Sequence, residues 1–413
     1  MIIMRRPAAI TTAFDRQCLV PGWDQTRVEQ ARVLVAGVGA LGNSVAAELV
    51  AHGVRRLALI DNDVIETSNL SRTVLFRPGD EGRRKCDVAG ERLALRAPSG
   101  PLDLVPLHTD VVSELGWGVY RRVDLVLGCL DSSAARAGVG APAWSLDVPA
   151  VFGGIYAWDG NVLVQGEACV ACDFGNAEWT DMNRHYSCHR VRRDATGAPL
   201  PNLGLTASIV GALMAREALR LLHGDGSRRG SRTFLAGAGP SLHHLAVRRS
   251  PRCPMHMPVD GVVEMPELSS TLTAGASLER LARRWGGDVV LELGRDFLIA
   301  ARCLGCGTER PLRRPRHRTW ERDLLCEGCA ASGGSRGRDP DITAIQSVSL
   351  QTAPVILDRP LEALGIPPLH LLEVRTASGS RWIELGGDAE RFLPGWPVIA
   401  RPTTTTAQRE EIA

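Results

Sequence analysis

Apolar residues in about the first 235 positions follow two alternating patterns, short continuous runs and longer stretches with helical spacing. The short runs are typical of strands buried on both faces, and the longer stretches are typical of helices packed against such a sheet. Their alternation predicts an α/β fold with a mostly parallel sheet. The predicted strands are 32–37, 56–61, 124–128, 148–154 and 161–165, and the predicted helices are 41–52, 81–96 and 204–223.

The pattern changes beyond residue 250. A proline-rich segment at 254–266 is typical of a linker, and glycine and serine at 331–341 indicate a second one. Short apolar runs separated by turns predict a small, mostly-β module near the end. We therefore expect an α/β domain, a cysteine-bearing module, a β-rich module and a disordered tail, at 1–260, 261–336, 337–400 and 401–413.

Composition narrows the class of protein. The chain is 44% hydrophobic and 23% charged, which is typical of globular proteins, and its formal net charge is only +2. This near-balance gives no support to broad binding of a phosphate backbone, so nucleic acid is not an expected partner. No secretory signal stands at 1–14, and the 18-residue apolar stretch that a membrane span needs occurs only where glycines interrupt it. A cytoplasmic protein without a membrane anchor is expected.

A glycine-rich loop joins the first predicted strand to the first helix. Gly37, Gly39 and Gly42 form G-x-G-x-x-G, which lets phosphates approach backbone N–H groups at a helix N-terminus. Asp61 ends the second strand, where an acid can bind ribose hydroxyls. These features fit any Rossmann protein that binds NAD, FAD or ATP, so an NAD(P)-dependent oxidoreductase is one alternative.

The residues that follow are more specific. Residues 61–72 read DNDVIETSNLSR, and four further motifs follow one order along the chain: FDRQ at 14–17, GRRK at 82–85, AP at 97–98 and CLD at 129–131. Together they resemble the ThiF/MoeB/HesA family, relatives of the ubiquitin-activating enzymes, over residues 14 to 256. Thr73 and Ser132 depart from the usual glutamine and asparagine of these motifs.

The resemblance implies a Rossmann-like ATP-binding fold and adenylation of a carboxylate with Mg·ATP. Arg72 and Lys85 would neutralise phosphate charge, as would Arg16, which in this family usually reaches the site of the partner subunit, so a homodimer is expected. Three other residues of the motifs, Asp61, Asp63 and Asn69, would bind the nucleotide. Asp131 would hold Mg²⁺, since a hard cation prefers carboxylate oxygen.

The resemblance also implies a substrate class. This would be a small ubiquitin-like or sulfur-carrier protein, or a peptide, that ends in Gly-Gly. The activated acyl group could pass to a thiol or sulfur, and Cys188 lies in the loop that carries such a cysteine in some members. Neighbouring histidines and arginines would lower its pKa if they are close in space. Direct reaction of the acyl-adenylate without Cys188 is the alternative.

The distribution of lysine in the sequence draws attention to one position of the family motifs, residue 85. Lys85 is the only lysine among the 48 basic residues, and it falls where the family motif has its lysine. A compact ammonium acts as a point charge on a phosphate and needs less space than a planar guanidinium. Chance placement is the weaker explanation.

Two cysteine sets predict structural zinc. One set, Cys169 and Cys172 with Cys253 and His256, resembles the paired knuckles of this family and would make a closed tetrahedral site. The other has the C-x₂-C-x₁₉-C-x₂-C spacing of a zinc ribbon, which assigns residues 261–336 to a zinc-ribbon module. Its cysteines are Cys303, Cys306, Cys326 and Cys329.

The sequence alone leaves two further functional hypotheses open. A ThiF-derived zinc scaffold without activity is one, although every charged position of the nucleotide motif is filled. A tRNA-modifying relative is the other, since residues 309–322 (ERPLRRPRHRTWER) are strongly basic. A solvated protein surface is the simpler explanation for that basic stretch.

Overall fold

The computed structural model describes residues 12–180, 201–239, 241–331 and 340–401. Its larger sheet has eight strands in the order β3-β2-β1-β4-β5-β6-β7-β8. The first five of these pair in parallel, and β6 to β8 extend the sheet in antiparallel fashion. The strands are β1 (Arg32–Ala36), β2 (Arg56–Ile60), β3 (Asp103–Leu107), β4 (Leu125–Gly128), β5 (Ala150–Tyr156), β6 (Asp159–Val164), β7 (Ser231–Ala236) and β8 (Ser241–Ala246).

The predicted α/β fold with a mostly parallel sheet is confirmed. The five predicted strands coincide with β1, β2, β4, β5 and β6 to within a few residues, whereas β3, β7 and β8 were not predicted. The helices of this part are α1 (Gln25–Gln30), α2 (Ala40–Ala51), α3 (Lys85–Ala94), α4 (Ser133–Ser145) and α5 (Gly204–Leu222). Prediction of a helix from residue 81 was wrong by one turn, because Gly82 and Arg83 instead make backbone hydrogen bonds with Ile65.

Each face of the large sheet buries its own core, because side chains alternate along a strand. Val33 and Val35 of β1 face the core under α2, α3 and α5. Leu34 and Ala36 face a second core, which α4 covers together with a 3₁₀ helix at Trp117–Arg122. Both cores are nearly closed to water, so the strand ends are held rigidly.

A second sheet of six strands follows. Its order is β11-β10-β13-β14-β9, and β12 pairs with β10 along the opposite edge, from Val290 to Arg302. The strands are β9 (Val263–Met265), β10 (Val290–Arg302), β11 (Glu309–Pro315), β12 (Asp341–Ser349), β13 (Leu371–Thr376) and β14 (Gly379–Leu385), with helices α6 (Ala274–Trp285), α7 (Glu327–Ala331), α8 (Pro354–Leu357) and α9 (Ala389–Phe392).

This sheet contains residues from both of the predicted C-terminal modules. Strands β11 and β12 lie on either side of the boundary predicted at 336/337, and both pair with β10. Strand β9 lies inside the segment predicted as a linker at 254–266 and pairs with β14. Of the predicted tail at 401–413, Arg401 is described and donates to the carbonyl oxygens of Tyr120 and Val123, whereas 402–413 lie outside the described residues. None of the helices in the described ranges has the length and apolar character that crossing a membrane requires.

A buried ionic contact joins the two sheets. Glu384 of β14 accepts hydrogen bonds from Arg121 and Arg122 of the 3₁₀ helix. Glu384 is fully buried and Arg122 is 1% exposed. Burial raises the pKa of Glu384, and the charges of the two arginines oppose that rise. Leu369 and Trp396 extend the second core of the large sheet, so apolar packing surrounds the ion pair.

Replacing Glu384 by alanine is expected to destabilise the protein by about 3–5 kcal/mol, because the buried Arg122 would lose its fully buried partner and keep only the more exposed Glu264. Chemical denaturation followed by circular dichroism measures this loss. Glu264 is the matched control, since it pairs with Arg122 at 2.9 Å but its side chain is 42% exposed. Equal loss of stability in the Glu264→Ala and Glu384→Ala variants would contradict the expectation.

Candidate nucleotide site and metal centres

The candidate nucleotide site lies at the carboxyl edge of the parallel strands. The glycine loop follows β1, Asp61 follows β2, and Cys129 to Asp131 follow β4. Because β1 pairs with both β2 and β4, these three loops are neighbours at one edge. Ligands of open α/β sheets bind in this crevice.

Each glycine of the loop has a different steric role. Gly37 has φ +87°, and a Cβ there would lie 2.5 Å from the carbonyl oxygen of Cys129. A Cβ at Gly42 would lie 2.0 Å from the carbonyl oxygen of Gly37, so α2 can approach the loop only with glycine there. Nothing lies within 4 Å of a Cβ at Gly39. The loop is therefore tightly packed behind and open at Gly39, where α2 begins.

Asn43 fixes this loop and was missed by the sequence analysis. Its fully buried side chain donates to the carbonyl oxygens of Val38 at 2.7 Å and Gly39 at 3.1 Å, and accepts from the N–H of Leu75 at 3.1 Å. A buried asparagine needs such partners. The sequence feature that could have identified Asn43 is an amide side chain in the first turn of a mostly apolar helix.

Asp61 bonds to the backbone of the glycine loop and to that of its own loop. Its carboxylate accepts from the N–H of Val38 at 2.7 Å and from the N–H of Asp63 at 2.9 Å. Burial raises the pKa of Asp61, and the positive charge of Lys85 opposes that rise. Asp61 thereby ties the glycine loop to the segment that carries the family signature.

Lys85 is the first residue of α3 and is 8% exposed. Its ammonium lies 2.7 Å from the carboxylate of Asp63, whose side chain is 63% exposed. The structure therefore brings Lys85, Asp63 and Asp61 together beside the glycine loop. A buried cation with one exposed partner can exchange that partner for a phosphate.

Asn69 and Arg72 lie on the other side of this segment. Buried Asn69 accepts from the N–H of Glu66 at 3.1 Å and so closes the short turn that precedes Arg72. Arg72 is half-buried and its backbone packs on the start of α5, since a Cβ at Gly204 would lie 3.0 Å from the Cα of Arg72. Asp131 is exposed in the loop that follows β4, three residues beyond its end at Gly128.

Arg16 does not join this group within one chain. Its neighbour Gln17 donates to the carbonyl oxygen of His52 at 2.9 Å, at the end of α2 remote from the glycine loop. The twelve residues of α2 span roughly 18 Å at about 1.5 Å per residue, so exposed Arg16 lies near the opposite end of this helix. Cys188 lies outside the described residues.

The first cysteine set converges in space although its two pairs are distant in sequence. The sulfur of Cys169 lies 3.9 Å from that of Cys172 and 3.6 Å from that of Cys253, and Cys172 lies 3.3 Å from Nε2 of His256. Hydrogen bonds from Cys169 and His256 lower the pKa of Cys172 to about 4. A tetrahedral ion with Zn–S bonds of about 2.3 Å would hold sulfurs roughly 3.8 Å apart, so this group has the dimensions of a zinc site.

The second set has the same dimensions. Cys303 lies 3.7 Å from Cys329, and Cys306 lies 3.6 Å from Cys326. The four ligand atoms lie within 4.8 Å of one another, as in the first set. Cys303 follows β10, whereas Cys326 and Cys329 flank the start of α7, so the second sheet builds this group.

Comparison with known proteins adds independent information. A 252-residue match at 34% identity links the chain to the "Sulfur carrier protein adenylyltransferase" of Thermus thermophilus, covering 59% of this chain and 89% of that protein. The "Sulfur carrier protein ThiS adenylyltransferase" of Escherichia coli is 28% identical, over 56% of this chain and 88% of that protein. The mouse "Adenylyltransferase and sulfurtransferase MOCS3" is 31% identical, over 57% and 50% of the two chains.

Solved structures of Escherichia coli MccB also match, for example the complex with ATP, at 20% identity and a TM-score of 0.45 over 56% of this chain and 68% of that one. The sequence model of the ThiF family matches residues 14–255, more than half of the chain. This confirms the resemblance that the five motifs indicated: the chain belongs to the ThiF family.

Proposed function

We propose that this protein is an ATP-dependent adenylyltransferase that activates the C-terminal carboxylate of a small sulfur-carrier or ubiquitin-like protein. The observation that carries the proposal is the buried ammonium of Lys85 beside the glycine loop and Asp61. The three relatives named above are adenylyltransferases, and two of them are named for sulfur-carrier proteins.

The reaction needs positive charge at a defined place. A carboxylate oxygen of the substrate forms a bond to the α-phosphorus of ATP, and the bond from that phosphorus to the bridging oxygen breaks. The bonding electrons leave with pyrophosphate, so negative charge grows on the leaving group. We assign Lys85 and Arg72 to neutralise this charge, and the open backbone at Gly39 supports an approach of the phosphates to the loop.

Asp131 would hold Mg²⁺. Its exposed carboxylate at the end of β4 fits a hard cation, and a bound Mg²⁺ would neutralise phosphate charge. The two cysteine sets would each hold one structural Zn²⁺. Four protein ligands close each site, which leaves no coordination position for chemistry.

We further propose a homodimer in which Arg16 of one protomer completes the site of the other. The position of Arg16, at the far end of α2 from its own glycine loop, supports this proposal. The Arg16→Ala and Lys85→Ala variants are each expected to be inactive alone. After mixing and subunit exchange, heterodimers with one intact site should restore about a quarter of wild-type activity, since roughly half of the dimers are mixed. No recovery, despite exchange shown by native mass spectrometry, would contradict the dimer proposal.

Pyrophosphate release in the presence of Mg·ATP tests the proposed function. The probes are ThiS of Escherichia coli and a set of small proteins that end in Gly-Gly, with a variant lacking the last two residues as the control. Calorimetry with ATP and with NAD tests the alternative of an NAD(P)-dependent oxidoreductase, because such an enzyme would bind NAD and release no pyrophosphate. Release that depends on the intact C-terminus supports the proposal; its absence with every carrier overturns the substrate class.

A further inference from the structure

The loop that follows β3 lies at the same edge of the large sheet as the candidate nucleotide site. Strand β3 pairs in parallel with β2, and the N–H of Asp61 donates to the carbonyl oxygen of Leu107, the last residue of β3, at 3.2 Å. A nucleotide with its phosphates at the glycine loop and its ribose at Asp61 extends along the strand ends toward β3. Residues 108–114, the β3 loop, therefore border the nucleoside side of the site.

A residue of the second sheet holds the backbone of the β3 loop. Arg295 of β10 donates from one terminal nitrogen to the carbonyl oxygen of Val112 at 2.6 Å, and from the other to that of Ser113 at 2.9 Å. The N–H groups of the same two residues donate to the carboxylate of Asp110, at 2.9 Å and 2.7 Å. A planar guanidinium suits two adjacent acceptors, and Ser113 is only 4% exposed. Side chains on both sides thus fix this turn of the loop.

An irregularity in β10 directs Arg295 toward the large sheet. The pairing of β10 with β12 shifts register between Glu292 and Phe297, and Gly294 inside this stretch has φ +65°. A bulge of this kind bends a strand and re-aims its side chains. Glycine adopts the positive φ without the strain that another residue would have. The sequence of β10 therefore builds the geometry from which Arg295 reaches the β3 loop.

The β3 loop is packed against α4 on its other side. A Cβ at Gly138 of α4 would lie 2.9 Å from a methyl carbon of Val112, so the glycine gives the loop room. A second contact with the second sheet, between Glu114 and Arg318 at 3.8 Å, has both side chains more than 40% exposed. Such an exposed pair contributes little. Arg295 is therefore the stronger of the two polar side-chain contacts between the second sheet and this loop.

Other contacts hold the two sheets together. Fully buried Glu384 accepts from two arginines of the 3₁₀ helix, and the carbonyl oxygen of Leu369 accepts from the N–H of Gly118 at 2.7 Å. Loss of the bonds from Arg295 would leave these contacts in place. The effect of replacing Arg295 should therefore fall on the β3 loop and not on the docking of the sheets.

We propose that Arg295 is a positioning residue for the nucleotide site, through which the second sheet sets the affinity for the nucleoside part of ATP. Arg295 acts through the β3 loop and touches none of the reacting atoms. This inference rests on the proposed adenylyltransferase function. It gives the second sheet, which lies beyond the ThiF match at 14–255, a role in the reaction of the large domain.

Calorimetry with the full-length Arg295→Gln variant tests the proposal, with Mg·ATP and AMP as the two probes. The Kd of each is expected to rise by the same factor, roughly 5- to 20-fold, because a relaxed loop must be ordered again when the nucleoside binds. Lys85→Ala should give a different pattern. It should weaken ATP binding and leave the Kd for AMP within about twofold, since AMP lacks the pyrophosphate whose charge Lys85 would neutralise.

Two further variants separate positioning from a general loss of structure. Arg314 of β11 pairs with Asp323 inside the second sheet, so Arg314→Gln is the matched control and should leave both Kd values within about twofold. Arg295→Lys keeps a charge that reaches only one of the two carbonyls. It should bind both nucleotides more weakly than the wild type and more tightly than Arg295→Gln, and it keeps the proposal testable if the glutamine variant misfolds. Circular dichroism checks that each variant is folded.

The outcomes distinguish this inference from the proposed function. Unchanged Kd values in a folded Arg295→Gln protein overturn the role of Arg295, as does an equal loss of affinity in Arg314→Gln. Weaker binding of ATP with unchanged binding of AMP would place the effect at the phosphates and also overturn it. A wild type that binds neither nucleotide overturns the proposed function itself, and this inference with it.

Discussion

Replacing Lys85 by alanine is expected to lower the rate of pyrophosphate release at least ~1,000-fold. A preorganised donor aimed at charge that develops in a transition state is worth roughly 10²- to 10³-fold, and a cation on a leaving pyrophosphate is at least as important. Lys85 is 8% exposed, and its ammonium lies 2.7 Å from the carboxylate of Asp63. Neither water nor a flexible neighbouring side chain can therefore supply the positive charge that the alanine variant lacks. Mg·ATP binding by calorimetry and release of pyrophosphate with carrier present measure the effect.

Two variants make this prediction specific. Arg84 is the residue before Lys85 and is exposed, so Arg84→Ala should leave activity within about twofold. Lys85→Arg should restore little, because a planar guanidinium is larger than an ammonium and this position is buried. Activity above a tenth of wild type in Lys85→Ala would remove Lys85 from the reaction.

Local patterns in the sequence determine the parts of the site that were predicted. The glycine loop and Asp61 follow strands whose apolar runs are continuous, so strand ends and motif spacing locate them without long-range information. The start of α3, by contrast, depends on a contact with a distant part of the sequence. Arg83 and Gly82 bond to Ile65, a contact that the amphipathic pattern of 81–96 does not encode.

Strands β7 and β8 show why part of the large sheet was missed. Their sequences, SRTFLA and SLHHLA, mix polar and apolar residues without strict alternation, and every residue of β7 is half-buried. Strand β7 pairs antiparallel with β6, from Gly160–Leu235 to Val164–Ser231, over a sequence separation of about 70 residues, and β8 pairs with β7. Arg232 of β7 therefore comes within 3.1 Å of Asp173 through a pairing that no local pattern shows.

The structure also provides acidic partners for arginines of the basic stretch at 309–322. Arg314 pairs with Asp323 at 3.3 Å, Arg316 with Asp296 at 2.8 Å and Arg318 with Glu114 at 3.8 Å. Asp296 and Glu114 lie outside this stretch in sequence. The sequence alone therefore shows the positive charges of the stretch without these two acidic partners. These pairs favour a structural role for the stretch, which joins the second sheet to the loop before the 3₁₀ helix.

Removing the proposed zinc ion from the first cysteine set is expected to have the largest effect on stability. Cys169 is fully buried and Cys253 is 9% exposed, among Ala137, Ala171 and the ring of Trp144. Without an ion, these thiols share protons: the pKa of Cys169 is raised by its hydrogen bond to Cys172 and by burial, while that of Cys172 falls to about 4. An ion replaces those weak contacts with four bonds, and structural zinc contributes roughly 10–16 kcal/mol in small domains.

Cys172→Ser should therefore reduce bound zinc from two equivalents to about one and lower the unfolding midpoint strongly, by the equivalent of roughly 5 kcal/mol or more. Cys326→Ser should also lose one equivalent, but its effect should fall on the second sheet and leave Mg·ATP binding intact. Cys18 is exposed and belongs to neither set, so Cys18→Ser is the matched control and should retain both equivalents. Elemental analysis with thermal denaturation measures all three variants. A Cys172→Ser protein that keeps wild-type stability would mean that this group packs as ordinary buried thiols, because a closed zinc site lost from this core cannot be silent.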